Sequence, residues 1–345
     1  MIYLNGWPVD FRSFPNNEMY ADVDASAYGR TSRVNKITFK FEDDKDIFHL
    51  IAVKDFVDEA YPNVPTELVM AYIPYSRMDR KENNRLFTLK SFSKIINNMG
   101  FSRVIVDEPH SEVSTALINN IHVNNVSSKL VIRAMCDIFN LQGSCWYTNY
   151  YKGVDANGKP DLCIDALFDK AKEAGVYLVY PDAGAEKRYS KQITYPNVMT
   201  CKKKRDFNTG KIEKITVDEV QDCKIAIIVD DLSSRGGTFI GSARALRESI
   251  VGLEKVILCV THCENTIYMG DVFRENSPID MVYTTKSILI DPNTLCNVLS
   301  VNGEEMMRNL PPQDKGETFE VFKDRIERIV RDRKLIIDDK MNFDE

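Results

Sequence analysis

Histidine, tryptophan and cysteine are scarce in this chain, with 4, 2 and 8 copies among 345 residues. Cysteines this sparse and unpatterned exclude a disulfide-stapled scaffold and fit reduced thiols in a cytoplasm. One stretch, "CVTHC", brings Cys259, His262 and Cys263 close together. It follows an apolar, strand-like run and has no second ligand pair, so zinc is not expected there. No uninterrupted apolar stretch approaches the roughly 18 residues that a membrane span needs, so no membrane partner is expected. The first residues, "MIYLNGWPVDFRS", lack a basic start followed by an apolar core, and no signal peptide is expected. Positive charge is not in excess either: 45 Lys and Arg against 51 Asp and Glu leave a net charge of −6. That argues against a nucleic-acid partner but leaves room for a local basic patch facing a phosphorylated small molecule.

What is present is alternation. A hydrophobic content of 43% and a charged content of 28% allow a substantial core, and the length suggests two domains. "LVMAYIPY" (68–75) reads as a strand, "TLKSFSKIINNMG" (88–100) as a helix ended by glycine, and "SRVIVDEPH" (102–110) as a strand. "DLCIDALFDKAKEAG" is helical, "VYLVYPDAG" a strand running into a turn, "KIAIIVDD" a strand, "GGTFIGSARALRESIVG" a helix and "EKVILCVTH" a strand. Continuous apolar runs separated by amphipathic helices predict an α/β protein with mainly parallel sheets covered on both faces. Polar Gly/Pro-containing connections at 150–161 and 301–316 are the candidate junction and tail boundary. Residues 317–335 place Phe319, Phe322, Ile326, Ile329 and Val330 on one stripe, which predicts a docking helix with a solvated charged face.

Ligands of open α/β sheets bind at the carboxyl ends of strands, and four stretches end there in polar residues. "PYSRMDRK" (74–81) supplies Arg77, Arg80 and Lys81. "DEPH" (107–110) supplies two acids and His110, and "YPDAGAEKR" (180–188) supplies Asp182 and two basic residues. The fourth, "IVDDLSSRGGT" (228–238), joins a strand, an acidic pair, a small-residue loop and a helix start. Its glycines let a backbone approach a phosphate, and amides at a helix start point at such a group.

The loop 228–238 resembles the phosphoribosyl-diphosphate signature of the type I phosphoribosyltransferase fold. Together with the other three stretches, in order and at comparable spacing, it resembles the ribose-phosphate diphosphokinases. A fifth stretch, "FPNNE" (14–18), is similar to that family's adenine loop, so the resemblance runs from about residue 14 to about residue 290. It implies two tandem phosphoribosyltransferase-like domains, each a mainly parallel sheet flanked by helices, plus a C-terminal helix. The expected boundaries are 1–148 for an ATP-binding domain, 149–302 for a ribose 5-phosphate-binding domain, and 303–345 for a helical tail.

The resemblance implies a reaction too: transfer of the diphosphoryl group of ATP to the anomeric hydroxyl of ribose 5-phosphate, with AMP released. It implies ATP contacts at Phe14, Asn16, Asn17, Glu18, Arg77, Met78 and His110, and Mg²⁺ as cofactor at His110 and Asp182. Asp230 and Asp231 would accept hydrogen bonds from the ribose hydroxyls, while Ser234, Arg235, Gly236, Gly237 and Thr238 would wrap the 5-phosphate. "CKKKRDFNTGK" (201–211) matches a basic catalytic loop with a Lys-x-Arg pair. Lys202 fills the lysine position and Lys204 the arginine position, with Arg205 one step on. Met78, Glu108, Ala185, Lys204 and Arg235 depart from the family's usual residues. A homo-oligomer, dimer or hexamer, and a cytoplasmic location are also implied. Two other readings stay open: a phosphoribosyltransferase that consumes phosphoribosyl diphosphate, and a catalytically silent regulatory homologue.

Overall fold

The structure is a computed structural model that describes residues 1–23, 33–140, 162–205, 212–218, 220–293 and 319–338. Contacts divide the chain into two compact units, Met1–Asn125 and Val126–Asp339.

The first unit runs β1 (Ile2–Leu4), β2 (Trp7–Pro8), β3 (Phe11–Ser13), β4 (Met19–Ala21), β5 (Asn35–Phe39), α1 (Lys45–Ala60), β6 (Thr66–Val69), α2 (Thr88–Asn98), β7 (Arg103–Asp107), α3 (Glu112–Leu117) and β8 (Ile121–Asn124). Six strands form a sheet in the order β2-β1-β5-β6-β7-β8. Strands β5 to β8 are parallel, and β1 and β2 add an antiparallel edge. Helix α2 buries Leu89, Phe92, Ser93 and Ile96, a spacing that puts them on one helical face, and Gly100 follows at φ +67°. The strand expected over 68–75 ends at Val69. Pro74 offers no amide for a ladder, and Tyr75 turns to φ +62°, held by its hydroxyl on Asp44 at 2.5 Å.

The second unit runs α4 (Ser127–Ile138), α5 (Leu162–Glu173), β9 (Val176–Tyr180), α6 (Ala183–Tyr189), β10 (Val198–Thr200), β11 (Lys202–Arg205), β12 (Ile212–Thr216), β13 (Ile225–Ser233), α7 (Gly237–Ser249), β14 (Lys255–Cys263), β15 (Met281–Thr285), α8 (Phe319–Arg331) and β16 (Leu335–Asp338). Its main sheet, β10-β9-β13-β14-β15-β16, is parallel throughout. Strand β13 is buried without a break from Ile225 to Val229, as expected of a strand covered on both faces. Strands β11 and β12 form a separate antiparallel ribbon.

The division at Asn125/Val126 lies ahead of the expected one at 148/149, which falls outside the described residues. The reason is α4, which packs against β13, β14 and β15 of the second sheet. Of the helical tail expected over 303–345, the described residues 319–338 join the second unit. Phe322, Ile326 and Ile329 of α8 enter the second core, and β16 pairs with β15. The charged face of α8 is not wholly solvated, because the Arg325 guanidinium is buried and donates to the Tyr268 carbonyl at 2.8 Å.

Cys259 and Cys263 are buried free thiols, and His262 Nδ1 lies 2.7 Å from Ser287 Oγ. Among the described residues no group of three His, Cys, Asp or Glu could hold a metal ion. Among them, too, no helix is long and apolar enough to cross a membrane.

Candidate functional site

In the second unit the site starts where β13 leaves its apolar run. Asp230 and Asp231 follow Val229, and the Asp231 amide donates to Asp230 Oδ1 at 2.9 Å. Asp231 is buried and pairs with Arg188 Nη1 at 3.0 Å. Burial, then the Asp231 charge, push the Asp230 carboxyl well above the ordinary carboxylate range, and the Asp182 charge adds to the shift. Two adjacent acids with one cationic partner between them form a site that gains from an incoming hydrogen-bond donor.

The loop that follows is held by its surroundings. Ser234 Oγ lies 3.0 Å from Thr266 Oγ1, which in turn donates to Glu264 Oε2 at 3.2 Å. Gly236, the residue before α7, sits at φ +79°, and a Cβ there would lie 2.2 Å from Val272 Cγ2. Only glycine suits that conformation and that contact. A Cβ on Gly270 would lie 1.9 Å from the Arg235 carbonyl oxygen, so this distant glycine lets the loop backbone pass. Beyond Gly236 the space opens: a Cβ on Gly237, the first residue of α7, would meet nothing within 4 Å. A helix start with open space before its amides can admit an anion.

Asp182 opens α6. Its Oδ1 accepts the amides of Gly184 and Ala185, each at 3.0 Å, and its Oδ2 accepts from Lys203 at 2.7 Å. Burial raises its pKa, but Lys203 and the two amides outweigh burial, and the carboxyl stays below its usual range. The sequence read a turn at the end of "VYLVYPDAG" (176–184); the structure starts a helix, Ala183–Tyr189, there, a conformation that alanine at 185 adopts readily.

The basic stretch forms the ribbon. Lys202 is exposed and donates to both oxygens of Asp218, at 2.7 and 2.9 Å. Lys203, not singled out from the sequence, is the more sheltered one, half-buried with a side chain 10% exposed. A usable signal was there: Cys201 reads as an inward residue, and strand alternation sends 203 to the same side. Lys204 pairs with Lys214 and Arg205 with Ile212, so the ladder slips between them. Residues 206–211 lie outside the described set.

In the first unit, "FPNNE" is the tip of the β3–β4 hairpin. The Phe14 amide donates to the Glu18 carbonyl and the Asn17 amide to the Phe14 carbonyl, both at 2.8 Å. Asn16 Oδ1 accepts the Glu18 amide at 3.2 Å, and Asn17 takes φ +67°. Phe14 is exposed and leans on Tyr20 with ring centroids 4.6 Å apart, so the hairpin presents an aromatic face rather than burying it. Arg77 is exposed and Met78 half-buried in the turn after β6, where the Met78 amide donates to Tyr75 at 2.9 Å. His110 is half-buried between β7 and α3, beside Glu108, which is buried at φ +34°.

The donor set for a divalent cation is thin. His110 and Asp182 belong to different units, and both Asp182 oxygens already accept hydrogen bonds. This fits an ion carried in on phosphates with its own waters, the usual habit of Mg²⁺, and does not fit a resident protein cage.

No protein-family model matches the chain. Curated relatives do. A ribose-phosphate pyrophosphokinase of Sulfurisphaera tokodaii is 25% identical over 297 residues, covering 83% of this chain and 86% of that one. One from Thermosipho africanus is 25% identical over 273 residues, 76% of this chain and 74% of that one. One from Campylobacter jejuni is 24% identical over 257 residues, 73% and 70% of the two. Among solved structures, phosphoribosylpyrophosphate synthetase from Mycobacterium smegmatis matches with a TM-score of 0.57 at 15% identity, over 94% of this chain and 90% of that one. That likeness carries the fold: two mainly parallel sheets flanked by helices, of the type I phosphoribosyltransferase kind. Over most of its length the chain is thus similar in sequence to ribose-phosphate pyrophosphokinases, and its fold is that of a phosphoribosylpyrophosphate synthetase.

Proposed function

We propose that the chain transfers the β,γ-diphosphoryl group of ATP to the anomeric hydroxyl of ribose 5-phosphate, giving phosphoribosyl diphosphate and AMP. The observation that carries the reading is the end of β13, where half-buried Asp230 and buried Asp231 lead through a loop pinned by Gly236 and Gly270 to the open start of α7. An acidic pair suits a vicinal diol, and the helix start suits the phosphate of the same sugar.

Asp230 and Asp231 accept from the sugar hydroxyls. The backbone from Ser234 to Thr238 takes the 5-phosphate, with Arg235 beside it. Phe14 stacks on adenine, Asn16, Asn17 and Glu18 meet its polar edge, and Arg77, Met78 and His110 line the nucleotide. The anomeric hydroxyl oxygen attacks the β-phosphorus and gives its proton to water, while the bond from that phosphorus to the bridging oxygen breaks and the oxygen leaves with AMP. Lys202, with Lys204 or Arg205, leaves the open ribbon to offset charge on the transferring group. Mg²⁺ brought in on the phosphates would supply charge neutralisation, and the resemblance points to His110 of the first unit and Asp182 of the second as the residues toward it. The proposal includes a cytoplasmic homo-oligomer, dimer or hexamer, as the family resemblance implies.

The test is AMP release from ATP, followed with and without ribose 5-phosphate. Release that requires the sugar phosphate supports the reading. Binding of both ligands without AMP release would make a regulatory homologue the better one.

A further inference from the structure

Most of the non-glycine residues at positive φ among the described residues are asparagines, whose short polar side chain tolerates that conformation. Tyr75, at φ +62°, is the one aromatic residue in that group, and it stands two positions before Arg77. A bulky side chain in the left-handed region is strained and persists only where its surroundings hold it. The holding groups come from other parts of the first unit. The Tyr75 ring meets Phe41 edge-on at 5.6 Å and lies 5.7 Å from Phe92 of α2, and its hydroxyl donates to Asp44 Oδ1 at 2.5 Å. Burial first and the Asp44 hydrogen bond second push the Tyr75 hydroxyl pKa up, so the group remains a donor across the neutral range.

Asp44 immediately precedes α1, where an aspartate ordinarily caps the helix with its own side chain. Here its side chain makes no capping bond, and its neighbours serve the entry to the helix instead. Asp43 Oδ1 accepts the Lys45 amide at 3.0 Å, and Asp46 Oδ2 accepts the Glu42 and Asp43 amides at 2.9 and 3.3 Å. Helix α1 does not depend on Tyr75 for its place, because Leu50, Val53 and Val57 anchor it in the first core. The bond from Tyr75 to Asp44 therefore serves the turn. Within that turn the Tyr75 carbonyl accepts the Met78 amide at 2.9 Å and Ser76 is buried, so exposed Arg77 sits at the tip between two fixed neighbours.

We infer that Asp44 and Tyr75 are positioning residues for the nucleotide: their hydrogen bond holds the turn 75–78 in the strained conformation that presents Arg77 to the ATP phosphates. This rests on the reading of Arg77 as an ATP contact. Neither side chain touches ATP in this arrangement, and both act through Arg77.

The experiment compares wild type, Tyr75→Phe, Asp44→Ala, Asp44→Asn, Arg77→Ala and the Tyr75→Phe/Arg77→Ala double variant. AMP release gives kcat and the KM of each substrate, and calorimetry gives the Kd of ATP with Mg²⁺. Tyr75→Phe and Asp44→Ala should each raise the KM and Kd of ATP about fivefold, with kcat and the ribose 5-phosphate KM within about twofold. Asp44→Asn should bind ATP within about twofold of wild type, because its amide oxygen still accepts the hydroxyl. Arg77→Ala should weaken ATP about tenfold or more, and the double variant should bind no worse than Arg77→Ala alone. If Tyr75→Phe does not fold, Asp44→Ala replaces it in both the single and the double variant. Given a weakened Arg77→Ala variant, wild-type ATP affinity in Tyr75→Phe or Asp44→Ala would overturn the inference. So would an Asp44→Asn variant as weak as Asp44→Ala, or additive losses in the double variant. Wild-type ATP affinity in Arg77→Ala would overturn the reading of Arg77 itself, and this inference with it.

Discussion

Asp230 carries an electrostatic cost that its proposed role explains. Its carboxyl pKa is raised by burial first and by Asp231 second, so folding makes the proton harder to lose than in the unfolded chain. A carboxyl whose folded pKa exceeds its unfolded value supports folding at low pH, and that support is lost as pH rises through the folded value. Asp230→Asn should therefore raise Tm, and by more at pH 8 than at pH 5; thermal scans at both values check it. The same change should weaken ribose 5-phosphate while sparing ATP. Where the sugar is bound by the ionised carboxylate, each charge-assisted hydrogen bond lost is worth about 1.5–3 kcal/mol, or roughly ten- to hundredfold in KM. An unchanged KM would remove Asp230 from the sugar site. Gly236 is the opposite case, a residue whose value is what it lacks. With φ +79° and an added Cβ falling 2.2 Å from Val272 Cγ2, Gly236→Ala combines strain with a clash. About 2–4 kcal/mol of stability should be lost, read from urea unfolding, with ribose 5-phosphate use impaired as well.

At the scale of elements the β11–β12 ribbon is decisive. Lys202→Ala should lower kcat by orders of magnitude and leave ATP binding nearly intact, since a cation that engages the diphosphate in the closed state favours the transition state. The ladder slips between Lys204 and Arg205, where the sequence left two residues competing for one role. If the loop works one step on, Arg205→Ala is the severe change and Lys204→Ala the mild one; otherwise the order reverses. Steady-state kinetics of the three alanine variants decides, and three near-silent variants would withdraw the ribbon from catalysis. Helix α6 shows why part of this was hidden. Glycine and proline in "YPDAGAEKR" read as a turn, whereas Asp182 capping two amides nucleates a helix that delivers Arg188 to Asp231.

For the whole molecule, residues 319–338 are a structural part of the second unit. Phe322 and Ile326 of α8 are fully buried, and β16 completes the edge of the parallel sheet. Phe322→Ala should cost about 3–5 kcal/mol, measured as a lower urea midpoint of the second unit. An unchanged midpoint would mean that α8 docks without supporting the fold.

The alternation of apolar runs and amphipathic helices was enough to determine an α/β chain with mainly parallel sheets. Burial on both faces requires continuous apolar strands such as 225–229, and that requirement is written in composition. The motif at 228–238 was also legible, because a strand end, two acids and glycines at a helix start are local features. Tertiary structure decided what depends on contacts between distant residues: α4 joining the second unit, β16 closing its sheet, Gly270 making room for Arg235, and Lys203 turning inward to Asp182. Each arises from packing or charge pairing across long chain separations, and a sequence shows the groups that can pair but not which of them meet.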